Sequence, residues 1–408
     1  MRDRSIRSLL KQRNDAPATT AASLEEGRQM ADYTVDAGAL AVFGKEWGEY
    51  GSGEIRQIAP YCRTYAGQSS GMTGLLAILQ PATTELATLF SEHYGNLARV
   101  YTQTGRALTE TAELYVDSDA AAARKLHSAL ADRNLPARVR AERHEHSAPF
   151  VETSVRLAPT HAAADPTKSA RSKMDIDVKA IDWLFNKVTG HHITEPIDAL
   201  VGNWTVLTAQ GQAWANVGDA WKQHGSDTLQ NTNSVHSVWT GSAQARFAGY
   251  GHHLGGGMSG EREICLAIKV VLDRVAQQFE AVFKAALGYI QSVIHQVEVA
   301  AGWLAAGWWC GVGEAVAAKK VEEALVDFYN AWKLVHRVEL LVKLANAALK
   351  SFQRLKDIYH LVANAPAELS HEVEKVRAVI RGVGAIPGEL SDLSKLPAEP
   401  TTPYVARR

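Results

Sequence analysis

One pair of residues in the first third of the chain has the chemistry of a recognition signal. Tyr115 and Asp119 are four residues apart. Residues at this spacing lie on the same face of a helix, so a receptor could contact the phenol and the carboxylate together. A second tyrosine–acid pair, Tyr50 and Glu54, has the same spacing but falls among glycines. We therefore take Tyr115 and Asp119 as the candidate signal.

A second group of residues is typical of a tight reversal between two helices. Trp239, Thr240 and Gly241 separate two segments with helical periodicity. Gly241 can adopt the left-handed backbone conformation that ends a helix, and Thr240 or Ser242 can cap the helix that follows. The Trp239 indole is expected to pack on Ala243 and Phe247 and so to set the angle of the hairpin.

Catalytic and metal-binding motifs are missing from the sequence. It contains no HExxH, Walker loop, GxSxG or catalytically spaced Cys/His pair, so we expect no enzyme activity, no metal and no cofactor. The histidine pairs His191 with His192 and His252 with His253 could bind zinc only if the fold brought them together. A zinc-dependent enzyme built on those four histidines is the alternative interpretation.

Composition narrows the classes of protein to which this chain could belong. The 408 residues are 46% hydrophobic with a net charge of −1, enough for a large core in about two domains and without the basic excess of a nucleic-acid-binding protein. Cys62, Cys265 and Cys310 are too widely spaced for a disulfide framework or a CxxC site. Residues 1–19 are basic and polar, which predicts disorder and excludes a Sec-type signal peptide.

Residues 20–130 are predicted to form a first helical module. A helix is expected over 23–43, a break at the glycines of 44–53, and a second helix over 55–79. Pro81 should occupy the first turn of the third helix. That helix carries a heptad seam that calls for a partner helix along its length. The seam comprises Leu86, Phe90, His93, Leu97, Val100, Thr104, Leu108, Thr111 and Tyr115.

Residues 131–174 are expected to be a linker, because four prolines and many charges interrupt the periodicity. His144 and His146 lie within it without further ligands at zinc spacing.

Residues 175–315 are predicted to form a second helical module. Its first arm has a seam of Ile197, Leu200, Trp204, Leu207, Gly211, Trp214, Gly218 and Trp221. The return arm, 243–254, is expected to break at the glycines of 255–260 and to resume over 264–294. Residues 299–313 carry no charge but are too few for a membrane span, which favours a buried core helix and leaves an interfacial face as the alternative. Amphipathic helices should occupy 316–385, and a disordered tail 386–408.

With these surroundings, Trp239 and Gly241 resemble the turn of the WXG family, the helical-hairpin substrates of type VII (ESX) secretion systems of actinobacteria and their relatives. Tyr115 and Asp119 resemble the YxxxD export signal that PE and ESX secretion-associated proteins carry just past a helical hairpin. The resemblance implies an all-α fold: an elongated bundle in which the hairpins of 20–130 and 175–295 pack as four helices, with additional C-terminal helices. It also implies that both motifs meet at one end as a composite signal for the translocon ATPase, as in PE/PPE heterodimers.

The resulting functional prediction is a non-enzymatic secreted substrate of a type VII system. It would be made in the cytoplasm and end outside the cell or in the cell envelope. Its expected partner is the secretion ATPase or translocon. The similarity to ESX substrates that self-assemble, and to the N-terminal domain of channel-forming toxins, adds a homo-oligomer and a membrane surface as candidate partners. The alternative is a cytosolic helical scaffold, for which Trp239 would lie inside a continuous helix, far from Tyr115.

Overall fold

The computed structural model describes residues 34–131, 148–177, 179–306 and 312–353. The termini expected to be disordered, His144, His146, and residues 307–311 with Cys310 lie outside these ranges. So do the first half of the helix expected over 23–43 and the helices expected after 353. The described part of the chain is all-α, as predicted: it contains no β-strand, and its one isolated β-bridge joins Val35 to Trp239.

Helix α1, Ala37–Tyr50, starts where the Asp36 carboxylate accepts a hydrogen bond from the backbone N–H of Ala39 at 2.9 Å. The prediction that glycines end this helix at residue 44 was wrong. Helix α1 continues through Gly44 and passes into a π-helical turn, Gly51–Ile55. A Cβ on Gly44 would lie 2.8 Å from the carbonyl oxygen of Gly105. The missing side chain therefore allows two helix backbones to touch.

The single helix expected over 55–79 is replaced by shorter pieces. These are α2, Ile58–Tyr61, a second π-helical turn, Cys62–Ala66, and a 3-10 helix, Gly74–Leu79. Gly71 and Gly74 between them have positive φ angles, which a continuous helix does not allow.

Helix α3, Gln80–Ala131, has Pro81 in its first turn as predicted, but its buried face differs in part from the predicted seam. His93, Thr104 and Thr111 are only partly buried. The inward face instead uses small residues, which let α1 approach closely, alternating with tyrosines. Its buried residues include Leu86, Phe90, Tyr94, Ala98, Tyr101, Gly105, Leu108 and Ala112.

The second half of the chain begins with α4, Pro166–Asp177, and α5, Lys179–Thr189, and turns at Gly190, whose φ is +79°. Helix α6, Glu195–Ala199, leads into α7, Thr205–Ser234. Every residue of the predicted seam from Ile197 to Trp221 is buried. Helix α7 is buried on most of its circumference, so it forms the centre of the molecule.

Helix α8, Ser242–Ala306, is continuous, so the break predicted at residues 255–260 was wrong. A Cβ on Gly255 would lie 2.9 Å from the carbonyl oxygen of Gly225 in α7, whereas Gly256 and Gly257 meet no neighbour within 4 Å. The close contact between α7 and α8 at Gly225 therefore explains why residue 255 is a glycine. Gly211, Gly218 and Gly225 repeat the close approach at seven-residue intervals along α7.

Helix α9, Val312–Gln353, returns along α8, and the Gln353 amide donates to the carbonyl oxygen of Ala82 in α3 at 3.2 Å. The prediction that residues 299–313 form a buried core helix was wrong at the end of α8, where the Trp303 and Leu304 side chains are 45% and 48% exposed. No helix in the described ranges has the length and apolarity needed to cross a membrane.

The helix pair α1/α3 contacts the pair α7/α8 through aromatic rings. Phe90 meets Trp214 with ring centroids 5.1 Å apart, and Tyr94 meets Trp221 at 4.8 Å. Farther along, Trp47 of α1 meets Phe247 of α8 at 5.4 Å. These large rings fill the space between the two helix pairs.

Residues 148–165, part of the expected linker, form no regular secondary structure and lie along α7. From 151 to 157 their side chains alternate between partly buried and exposed. We call this segment the strap.

Candidate functional site

The reversal between α7 and α8 is stabilised by its own backbone. The N–H groups of Val238 and Trp239 both donate to the carbonyl oxygen of Val235, at 3.1 and 3.0 Å. Gly241 follows with a φ of +106°, in the region that strongly favours glycine, and α8 begins at Ser242. Trp239 therefore lies in a turn outside both helices.

The Trp239 side chain is 4% exposed, and its ring packs on Phe247 with centroids 6.1 Å apart, as expected. Its indole N–H donates to the hydroxyl of Tyr115 at 3.4 Å. Two of the four predicted site residues, 124 positions apart in sequence, are thus in contact.

The residues around Tyr115 are more exposed than Tyr115 itself. Tyr115 is partly buried, whereas Asp119, one turn later, is exposed. Leu114 and Val116 are also exposed, at 70% and 55%. Helix α3 continues from Tyr115 to Ala131, a further length of about 24 Å. The Asp119 carboxylate is therefore accessible on the surface of α3.

Of the two residues expected to be able to cap α8, Thr240 and Ser242, Thr240 instead contacts the start of the described chain through its side chain. The Thr240 hydroxyl accepts a hydrogen bond from the N–H of Thr34 at 2.9 Å, and the N–H of Thr240 donates to the Thr34 carbonyl at 2.8 Å. The N–H of Asp36 donates to the Val238 carbonyl at 2.8 Å. The segment that precedes α1 is thus paired with the turn.

Three buried polar side chains lie deeper between the helix pairs. The Tyr50 hydroxyl donates to the Asp227 carboxylate at 3.0 Å and lies 2.6 Å from Nδ1 of His224. Because the single hydroxyl proton points to Asp227, Nδ1 of His224 must be the donor in the second hydrogen bond. His224 Nε2 is buried and has no hydrogen-bond partner among the described residues.

The pKa values of this cluster follow from its burial. Burial lowers the pKa of His224 to about 4, although the negative charges of Asp227 and Glu54 act in the opposite direction. Burial, with the adjacent Asp227 charge, raises the pKa of Tyr50 far above its ordinary value. Both side chains are therefore neutral near pH 7.

The histidine doublets are not brought together. His192 Nδ1 contacts Asp182 at 2.8 Å, near the start of α7, whereas His252 Nε2 contacts Asn233 at 2.9 Å, near the end of α7. The length of α7 places the two doublets on the order of 40 Å apart. No group of three or more metal-binding side chains occurs within the ranges that the structure describes.

Sequence reasoning missed the polar cluster and its neighbour Asn231. His224 and Asn231 are seven residues apart, but they lie one position before Gly225 and Thr232, where the alternating spacing of the α7 seam continues after Trp221. Extending that seam past its last tryptophan would therefore have pointed to Gly225, Thr228 and Thr232 and not to the polar cluster.

No protein-family model matches this chain, and neither a curated protein nor a solved structure matches it.

Proposed function

We propose that this chain is a non-enzymatic substrate of a type VII (ESX) secretion system, exported through a composite signal of Tyr115 and Asp119 with Trp239 and Gly241. The observation that supports it is the hydrogen bond from the Trp239 indole to the Tyr115 hydroxyl, 3.4 Å long. The bond joins two export-type motifs on separate helix pairs.

In this proposal the four residues have different roles. Gly241 allows the reversal, and Trp239 is a buried support that holds Tyr115 in place. Asp119 is exposed one helical turn farther along and is the group that the secretion ATPase contacts directly. The exposed side chains of Leu114 and Val116 add apolar area around it.

Replacing Asp119 should weaken recognition by the secretion ATPase without affecting folding, because the side chain is exposed. We expect Asp119→Ala to reduce export into the culture medium by about tenfold, the effect of losing roughly 1.4 kcal/mol of receptor binding. The assay compares tagged protein in the medium and in the cells of a strain with an active type VII translocon. Asp117→Ala is the matched control, since it removes an equally exposed carboxylate outside the tyrosine register.

Equal export of the Asp119→Ala and Asp117→Ala chains would contradict a role for the tyrosine–acid pair. Export that continues unchanged after the translocon ATPase is deleted would contradict the whole proposal.

A cytosolic helical scaffold is the second candidate function. Its expected mark, Trp239 inside a continuous helix and far from Tyr115, is not met, because Trp239 lies in the turn and contacts Tyr115. Retention of the wild-type chain in cells with an active translocon would support the scaffold.

Self-assembly or membrane association after export is a further part of the proposal. Its support is the exposure of Trp303 and Leu304 at the end of α8, within the uncharged stretch 299–313.

A further inference from the structure

The strap is anchored by an aromatic side chain in an aromatic pocket. Phe150 packs against Phe43, Trp47 and Tyr50, with ring centroids 5.5, 6.5 and 6.0 Å apart. Phe43, Trp47 and Tyr50 are buried, so the ring enters the space between α1 and α7. Phe150 itself is partly buried, and an aromatic side chain packed into such a pocket is often the energetic centre of a peptide interface.

The strap backbone beyond the anchor is held by side chains. Asn231 accepts from the N–H of Val151 at 2.6 Å and donates to the carbonyl of the same residue at 2.8 Å. Asp227 then accepts from the N–H of Thr153 at 2.9 Å. These two α7 residues are four apart, one helical turn, so they hold successive N–H groups on the same side of an extended chain.

Side chains also pair with the strap backbone on the side opposite α7 and near the C-terminal end of the strap. Glu54, in the first π-helical turn, accepts from the N–H of Val155 at 3.1 Å. The Tyr61 hydroxyl and the Asn216 amide donate to the carbonyl of Ala158 at 2.7 and 3.1 Å. The groove thus lies between α7 on one side and residues 51–66 on the other.

The strap makes no backbone-to-backbone hydrogen bond with any described residue. Its backbone groups are paired with side chains of the groove, and such contacts are available to any extended chain. The side chains that enter the groove are Phe150 and, at every second position, Val151, Thr153, Val155 and Leu157. The contacts specify an aromatic residue followed by aliphatic or β-branched residues in alternation.

We propose that this groove is a binding site for an extended peptide segment of another protein, and that the strap is its resident intramolecular ligand. The peptide carries an aromatic residue followed by an alternating aliphatic run, and it enters when the strap leaves. The strap competes at the high effective concentration of a tethered ligand, so a partner binds weakly until the strap is loosened. This inference is independent of the export proposal.

Binding of a fluorescein-labelled peptide of residues 148–163 by the full-length chain tests the proposal. Phe150→Ala removes the anchor of the strap and leaves the groove intact. We expect the peptide to bind this variant at least about tenfold more tightly than it binds the wild type. Arg156→Ala is the matched control, because Arg156 is an exposed strap residue, and it should bind like the wild type.

A second pair of measurements locates the binding. Adding Asn231→Ala to the Phe150→Ala chain removes the two-point contact at Val151 and should weaken peptide binding by about tenfold. A peptide in which alanine replaces its phenylalanine should not compete. If circular dichroism shows that the Phe150→Ala chain does not fold, Val155→Pro replaces it in the binding experiment. This variant loosens the strap without emptying the aromatic pocket.

Equal peptide affinity for the wild-type and loosened chains would overturn the proposal, as would no binding to a folded loosened chain. A dimer of the loosened chain in light scattering, without peptide binding, would assign the groove to a second copy and also overturn it.

Discussion

Gly105 in α3 offers a direct test of how the first helix pair is held together. A Cβ added at this position would lie 2.4 Å from the carbonyl oxygen of Gly44 and 2.5 Å from the backbone nitrogen of Gly48. Both neighbours are backbone atoms and cannot rotate away. To restore ordinary contact distances, α1 would have to move from α3 by about 1 Å.

The expected destabilisation of Gly105→Ala follows from two opposing terms. Overpacking of this kind costs about 3 kcal/mol, at the upper end of the usual range because backbone is displaced on both sides. Replacing a glycine within a helix by alanine returns about 1 kcal/mol. We therefore expect the free energy of unfolding to fall by about 2 kcal/mol, a large part of the stability of a typical domain.

Gly95→Ala is the matched control, because Gly95 lies in the same helix and meets no atom within 4 Å. Only the helix-propensity term applies there, so this variant should be more stable than the wild type by about 1 kcal/mol. Urea unfolding followed by circular dichroism measures both changes as shifts of the midpoint at constant slope. If Gly105→Ala were as stable as Gly95→Ala, the inferred contact between α1 and α3 would be refuted.

Two further predictions concern α8 and the buried histidine. Gly255→Ala should lower the urea midpoint because its Cβ would meet the Gly225 carbonyl at 2.9 Å, whereas Gly256→Ala, facing open space, should raise it; midpoints that move together would contradict the glycine contact. Folded His224 has a pKa of about 4 against about 6.5 when unfolded, so the unfolded chain binds the proton first as the pH is lowered. The free energy of unfolding therefore decreases as the pH decreases. From pH 7 to pH 5 this loss is about 2 kcal/mol, and His224→Asn, which keeps a donor for Tyr50, should remove that part of the pH dependence; an unchanged pH dependence would refute it.

Sequence periodicity was most reliable where large apolar residues recur. The α7 seam was predicted correctly because tryptophans and aliphatic residues mark its inward face at heptad spacing. The α3 seam was partly misplaced because Ala98, Gly105 and Ala112 contribute contact without apolar bulk. Small residues carry little periodic signal, although they determine how closely helices approach.

Glycines were the main source of wrong helix boundaries. Gly44 and Gly255 were interpreted as breaks, and both lie within continuous helices. A glycine weakens an isolated helix by about 1 kcal/mol, but a close contact with a second helix can outweigh that cost. The partner backbone that supplies the contact is distant in sequence, at Gly105 for one and at Gly225 for the other.

The amino-acid sequence by itself determined the all-α class, the reversal at Gly241 and the inward face of α7, because each follows from local periodicity or from the φ angle of one residue. Only the tertiary structure decided that Tyr115 meets Trp239 and that the strap occupies a groove. Those contacts join residues 58 or more positions apart. They depend on how whole helices pack, which no local pattern encodes.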